Sequence, residues 1–284
     1  MTEIKDIIPS TPFSGARTIK CPHCGADVLT NAGKWFVDEC PELDEIPEEC
    51  GCPDAVAERA RIAAEAEKNE KARQSAIWRG VFAGRCEDAN IPEAWHNRGL
   101  SVWKRDSVAR ENAWNAAKTA GGIVCGTIPP DDMKRGLCIA GDVGTGKTFL
   151  ASCFAVSLIR RDVRVRWANV GDFLREIRSS FATNRPETEI VRKYTAPDVL
   201  IFDDLGKERP TDWACEQLFS VINSRYDAER ALVVTTNYSL KELVDRLTPR
   251  PDSSGRTDDT TARAIVDRLR AMCELVVLDG KSQR

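Results

Sequence analysis

Eight residues near the middle of the chain, Gly141-Asp142-Val143-Gly144-Thr145-Gly146-Lys147-Thr148, restrict its possible folds more than any other feature. They fit G-x-x-x-x-G-K-[ST]. They follow an apolar run, Leu137-Cys138-Ile139-Ala140, that reads as a buried strand, and precede FLASCFAVSLI, which reads as a buried helix. In that setting the glycines let the backbone wrap closely, so that N–H groups and the helix N-terminus face phosphates. All eight residues are therefore expected to bind ATP. Lys147 would reach the β- and γ-phosphates and Thr148 would offer its hydroxyl to Mg²⁺. A chance glycine-rich turn would require neither the strand before it nor the helix after it.

Short aliphatic runs then alternate with helical stretches: VRVRWA, a helix from Val170, DVLIF, a helix near Asp212, ALVVTT, a helix near Ser239, a helix from Thr261, and ELVVL. Strands apolar on consecutive residues are buried on both faces. The pattern predicts an α/β fold with a five-stranded parallel sheet covered by helices. Val199-Leu200-Ile201-Phe202-Asp203-Asp204 is a buried strand ending in two carboxylates, the form of a Walker B segment. Asp203 would hold Mg²⁺ through its water shell, and Asp204 would orient or deprotonate an attacking water. The run Leu232–Thr236 ends at Asn237, placed to hydrogen-bond the γ-phosphate or the water, with turn capping as the plain alternative.

At 284 residues the chain has room for a large domain with an appendage. Its 41 basic and 44 acidic side chains leave a net charge of −3, so any contact with nucleic acid must be local. No apolar run approaches the roughly 18 residues that span a bilayer, and the first residues fit no targeting pattern, so a cytoplasmic protein without membrane contact is expected. By texture the chain divides into a Cys-rich head (1–53), a helical linker (54–80) rich in Ala, Glu, Lys and Arg, and an ATPase domain (81–284). Residues 249–260, polar and rich in breakers, are expected to form a loop. Trp78, Trp95, Trp103 and Trp114 are expected to pack rather than bind, as are Cys138 and Cys153.

The segments GDVGTGKT, VLIFDDLGKERPTDW, INSRYDAERALVVTTN and AIVDRLRAMCELVVLDGKSQR together resemble the DnaC/DnaI/IstB group of AAA+ ATPases, over roughly residues 75–284. That group includes bacterial and phage replicative helicase loaders and ATP-dependent regulators of transposases. The resemblance implies an AAA+ P-loop core with little or no separate helical lid. It also implies side-by-side assembly into a homo-oligomer, in which an arginine of one subunit completes its neighbour's ATP site. Asp267-Arg268-Leu269 matches that arginine's position, which makes Arg268 the candidate. Relatives usually carry a second arginine one turn earlier. Here Ala264 stands there, with Arg263 one position away, so the role of Arg263 stays open. Asp204 stands where many relatives carry Glu. In loaders the segment after the second strand lines a single-stranded DNA groove. The matching residues here are Arg175, Arg178 and Arg185, with an ordinary amphipathic helix as the alternative.

The head holds five of the chain's 11 cysteines: Cys21-Pro22-His23-Cys24, then Cys40, Cys50 and Cys52. Without an export signal, metal ligation explains the cluster better than disulfides do, and four thiolates hold Zn²⁺ tetrahedrally. The set read here is Cys21, Cys24, Cys50 and Cys52. The resemblance favours Cys50 over Cys40, while Cys40 or His23 remains a substitute, and free thiols are the alternative to a metal. In the family such a head usually grips the partner helicase. The expected function is an ATP-dependent loader of a replicative DNA helicase onto single-stranded DNA. The alternatives are an IstB-like transposition regulator on duplex DNA, or an adaptor that hydrolyses ATP too slowly to count as an enzyme.

Overall fold

Consecutive apolar residues leave a strand no face for water, and the five runs in the second half of the chain lie together in one sheet. It is covered on both faces except at the edge strand Cys273–Leu278, where Leu275 and Val277 are exposed because, among the described residues, no further strand or helix packs over them. The computed structural model describes residues 18–29, 50–130, 134–183, 186–207, 211–249 and 258–279. Cys40, Arg185 and most of the loop expected over 249–260 lie outside them. The chain forms two compact units, Met1–Trp78 and Arg79–Arg284. Among the described residues no helix is long and apolar enough to cross a membrane.

The first unit contains an antiparallel hairpin of β1 (Thr18–Lys20) and β2 (Asp27–Leu29), with Ile19 opposite Val28. Helix α1 (Pro53–Asp88) follows, and its residues 60–81 are all exposed. Pairs such as Glu58–Arg61 and Glu67–Lys71 sit one turn apart along it, each worth about 0.2–0.5 kcal/mol to an isolated helix. The helix runs past the linker boundary read from the sequence, through Gly80 and Gly84. Phe82 and Cys86 are buried in the second unit's core, and that burial offsets the roughly 1 kcal/mol that each helical glycine costs.

In the second unit come α2 (Val108–Val124), β3 (Gly136–Gly141), α3 (Lys147–Ile159), β4 (Val165–Asn169), α4 (Val170–Thr183), α5 (Glu187–Thr195) and β5 (Val199–Leu205). They are followed by α6 (Asp212–Asp227), β6 (Ala231–Thr236), α7 (Leu240–Leu247), α8 (Thr260–Met272) and β7 (Cys273–Leu278). The sheet order is β4-β5-β6-β3-β7 and every neighbouring pair is parallel. Leu137, Ile139, Val199, Ile201 and Val233 point into one core with Leu150 and Phe154 of α3. Cys138, Leu200, Phe202, Leu232 and Val234 point into the other, with Phe173, Ile177, Leu218 and Leu269. Each large apolar side chain contributes about 1.5–3 kcal/mol by leaving water. Phe173 packs 5.1 Å from Phe202 and 4.7 Å from Tyr194 in this second core.

Register decides what emerges at the sheet's edge. Ala140 lies beside Thr236, and Phe202 beside Val234. Gly141 at the end of β3, Asp203 in β5 and Asn237 just after β6 therefore come out along the same end of the sheet.

One buried cation fixes the opposite ends of β5 and β6. Arg225, in the last turn of α6, is 0% exposed. Its Nη1 donates to the carbonyls of Tyr194 (2.9 Å) and Pro197 (3.0 Å), and its Nη2 to those of Asp198 (2.9 Å) and Ala231 (2.6 Å). Charge-assisted bonds of this kind offset the desolvation of the guanidinium, and removing it strands several buried carbonyls at once. Arg225→Ala is expected to lower unfolding free energy by about 3 kcal/mol or more, measured by denaturant titration. A loss under about 1 kcal/mol would contradict this account.

Candidate nucleotide and metal sites

The turn between β3 and α3 is the glycine-rich octapeptide. Its first residue leaves the sheet with φ +149°, and a Cβ on Gly141 would lie 2.0 Å from the Leu278 carbonyl oxygen, so only glycine fits. Thr145 Oγ1 donates to the Asp142 carbonyl at 2.9 Å and closes the loop on itself. Lys147 is buried in the first turn of α3, and its Nζ donates to the carbonyls of Gly141 (2.8 Å) and Asp142 (2.7 Å). The lysine is thus held over the loop's concave side.

Asp203 faces it from β5. Its Oδ1 accepts from Thr148 Oγ1 at 3.0 Å and from Thr235 Oγ1 at 2.6 Å. Thr235 Oγ1 in turn accepts the Asp204 backbone N–H at 3.0 Å, so one hydroxyl ties the Asp203 carboxylate to the main chain of Asp204. Asp204 takes φ +63° at a bulge between β5 and β6, a left-handed conformation that Asp tolerates better than most residues. Burial raises the Asp203 pKa above the ordinary carboxylate range; the Thr235 hydrogen bond opposes that rise, and the nearby Asp204 charge adds to it.

A cavity of about 790 Å³ brings these groups together. Val143, Gly144, Gly146, Lys147, Thr148, Asp203, Asp204 and Asn237 all line it. Its remaining wall went unnoticed in the sequence: Trp95, Arg98, Val102, Lys104, Arg110, Phe149 and Lys207. Trp95, expected only to pack, both lines the cavity and packs edge-on against Trp167 at 5.5 Å. Arg110 lies 4.0 Å over the Trp103 ring, and Arg98 lies 5.6 Å over Phe149. Five lining cations, Arg98, Lys104, Arg110, Lys147 and Lys207, outnumber two carboxylates, a balance that suits a polyanion. The Thr148 hydroxyl and Asp203 carboxylate form an oxygen donor pair of the kind a small hard cation such as Mg²⁺ takes.

Arg268 does not line this cavity. It stands on α8, where its Nε donates to Asn223 Oδ1 at 2.9 Å and its guanidinium lies 4.4 Å over the Tyr226 ring, both on α6. Arg263 is exposed and paired with Asp259 at 2.7 Å. Arg175 and Arg178 line a second cavity of about 270 Å³ with Asn169, Asp204 and Lys207. Arg175 is paired there with Asp172, and Arg178 lies 5.4 Å over Trp213.

In the first unit the Sγ atoms of Cys21, Cys24, Cys50 and Cys52 all lie within 4.8 Å of one another. Four thiolates about 2.3 Å from one zinc ion would stand about 3.8 Å apart. The observed Cys21–Cys52 and Cys24–Cys50 separations are 3.9 and 3.6 Å, so the cluster fits the ion. Backbone N–H groups of Cys24 and His23 lower the Cys21 thiol to about 6, whereas Cys50, although the Cys52 backbone N–H opposes the rise, is pushed up to about 12 by its hydrogen bonds to the neighbouring sulfurs. His23 is exposed and stands outside the four-sulfur set.

Residues 131–284 match the family model described as IstB-like ATP binding protein. The replicative helicase loader DnaI of Bacillus subtilis is 26% identical over 151 residues, 53% of this chain and 48% of that protein. An ATP-binding protein in an insertion sequence of Mycobacterium tuberculosis is 28% identical over 153 residues, 54% of this chain and 57% of its own. The chain thus matches about half the length of these curated relatives. A crystal structure of DnaI superposes with TM-score 0.54 at 22% identity, covering 68% of this chain and 94% of that one. For a DnaC helicase loader the values are 0.53, 23%, 66% and 100%. At those identities the superpositions speak for the AAA+ fold alone.

A raised Asp203 pKa means that the ionised form is disfavoured in the folded chain. Stability from this group is present below the unfolded carboxylate pKa and is lost as pH rises through the folded value. Asp203→Asn keeps an Oδ1 acceptor for both threonines and removes the charge. Near pH 7, without nucleotide, it is expected to raise Tm by a few degrees, the gain shrinking toward about pH 4. A lower Tm for the variant near neutral pH would contradict the assignment.

Proposed function

The chain belongs to the IstB-like ATP-binding protein family, and on that premise we propose that it is an ATP-hydrolysing helicase loader that binds a replicative DNA helicase and single-stranded DNA. The observation that carries the reading is the convergence of Lys147, Asp203, Asp204 and Asn237 on one cation-rich cavity, in a chain that also holds a four-cysteine cluster.

In this reading Gly141–Thr148 binds ATP, and Lys147 exchanges its two carbonyl partners for β- and γ-phosphate oxygens, which bind an ammonium more strongly. Thr148 and Asp203 hold Mg²⁺, which neutralises phosphate charge. Asp204 orients the attacking water or takes its proton, and Asn237 hydrogen-bonds the γ-phosphate. Arg268 serves a neighbouring protomer in an ATP-dependent homo-oligomer, a role consistent with its standing outside its own cavity. An arginine supplied this way is worth about 10³–10⁵ in rate in other NTPases. Arg175 and Arg178, with Arg185, contact the DNA backbone. Cys21, Cys24, Cys50 and Cys52 hold Zn²⁺ and shape the head over residues 1–53 for the helicase, while 54–80 link it to the ATPase domain. The replication-related relatives favour a cytoplasmic setting.

A second reading, a transposition regulator on duplex DNA, is favoured by the family's description and by the insertion-sequence relative, and uses the same catalytic residues. The cysteine head tips the balance toward the loader.

The deciding experiment co-purifies the zinc-bearing chain with replicative helicases, with and without ATP, and follows helicase loading on protein-covered single-stranded DNA. Loading is expected for the full chain, with about one zinc per chain, and should be lost when residues 1–55 are removed. No helicase complex, together with ATP-dependent assembly on duplex DNA, would establish the second reading instead.

A further inference from the structure

Asp204 and Lys207 stand in the wall between two cavities. Both line the cavity above the P-loop, and both line the smaller one that carries Arg175 and Arg178. Backbone geometry dictates this position. The Lys207 N–H donates to the Asp204 carbonyl at 3.3 Å, closing a four-residue turn whose third residue, Gly206, has φ +83° as a type II turn requires. A Cβ on Gly206 would stand 2.7 Å from Leu243 and 3.1 Å from Tyr238. The turn brings Lys207 Nζ to 3.2 Å from Asp204 Oδ2. The carboxylate assigned to the attacking water is therefore engaged by a cation that also faces the basic groove.

The relative strengths favour an exchange. The Lys207 side chain is 66% exposed and that of Asp204 is 27% exposed, so theirs is a surface pair, weak and screened by salt. A phosphodiester strand in the groove presents several charges at once, to Arg175 and Arg178 as well as to Lys207, and is the stronger competitor. We propose that Lys207 is a positioning residue. It holds Asp204 away from the attacking water until nucleic-acid phosphate in the Arg175–Arg178 groove draws the ammonium off, so that strand binding and ATP hydrolysis are coupled through one ion pair. The inference rests on the ATPase reading above and adds the link by which DNA acts on it.

The test measures ATP turnover of the full chain, alone and with a single-stranded oligo(dT) or a duplex of equal length, for wild type, Lys207→Ala and Lys207→Arg. Wild type is expected to be stimulated by the strand. Lys207→Ala should raise the basal kcat by up to about fivefold, the factor a surface ion pair can withhold, with little further stimulation. Lys207→Arg should restore stimulation. Stimulation by the duplex rather than the strand would support the same ion-pair link with the transposition-type partner. A purely structural lysine would lower both rates together and leave their ratio at the wild-type value, which overturns the proposal. So does a wild type that hydrolyses ATP but responds to neither nucleic acid. A wild type with no turnover under any condition removes the ATPase reading itself, and the proposal with it.

Discussion

A carboxylate carried into the edge of a buried sheet is the constraint around which the rest of this chain is arranged. Asp203 is 8% exposed, and an unpartnered anion at that depth would cost several kcal/mol. Thr148 and Thr235 supply hydroxyls from the two neighbouring segments, and each can do so only if β3, β5 and β6 hold their register. Register depends in turn on the two apolar cores and, at the far ends of β5 and β6, on the Arg225 guanidinium. Packing thus fixes the positions of the polar groups, and the polar groups make the deep carboxylate tolerable.

Much of this organisation was readable from residues alone, for identifiable reasons. The glycine-rich loop has a fixed spacing because backbone must approach phosphate. Strands such as Val199–Phe202 announce themselves because burial on both faces removes polar residues. The cysteines stood out because two close pairs, Cys21 with Cys24 and Cys50 with Cys52, have the spacing of metal ligands. What escaped was whatever depends on long-range placement. Thr235 passed as one residue of a strand end, although its hydroxyl joins the Asp203 carboxylate and the Asp204 backbone N–H across 32 and 31 positions of sequence. The cavity wall from Trp95 to Arg110 carries no motif, since it is defined by where the chain before the P-loop folds back. The extension of α1 over Gly80 and Gly84 follows from tertiary packing that outweighs local propensity. Lys207 adjoins the Walker B segment, yet only the turn at Gly206 shows that it faces Asp204.

Arg268 stands apart from the rest of the site within the chain. Its hydrogen bond to Asn223 and its place over Tyr226 hold the guanidinium on a helix surface, away from its own cavity. Under the proposed reading, such an arrangement would give an assembled protein a rate that an isolated protomer lacks.

The proposed chemistry requires magnesium and ATP in the space between the octapeptide loop and Asp203. Equilibrium titration of a fluorescent ATP analogue with Mg²⁺, on wild type and Lys147→Ala, tests this most directly. The account predicts saturable, Mg²⁺-dependent binding by wild type and at least about tenfold weaker binding by the variant, from the loss of charge-assisted contacts. Equal affinity in the two proteins would contradict it.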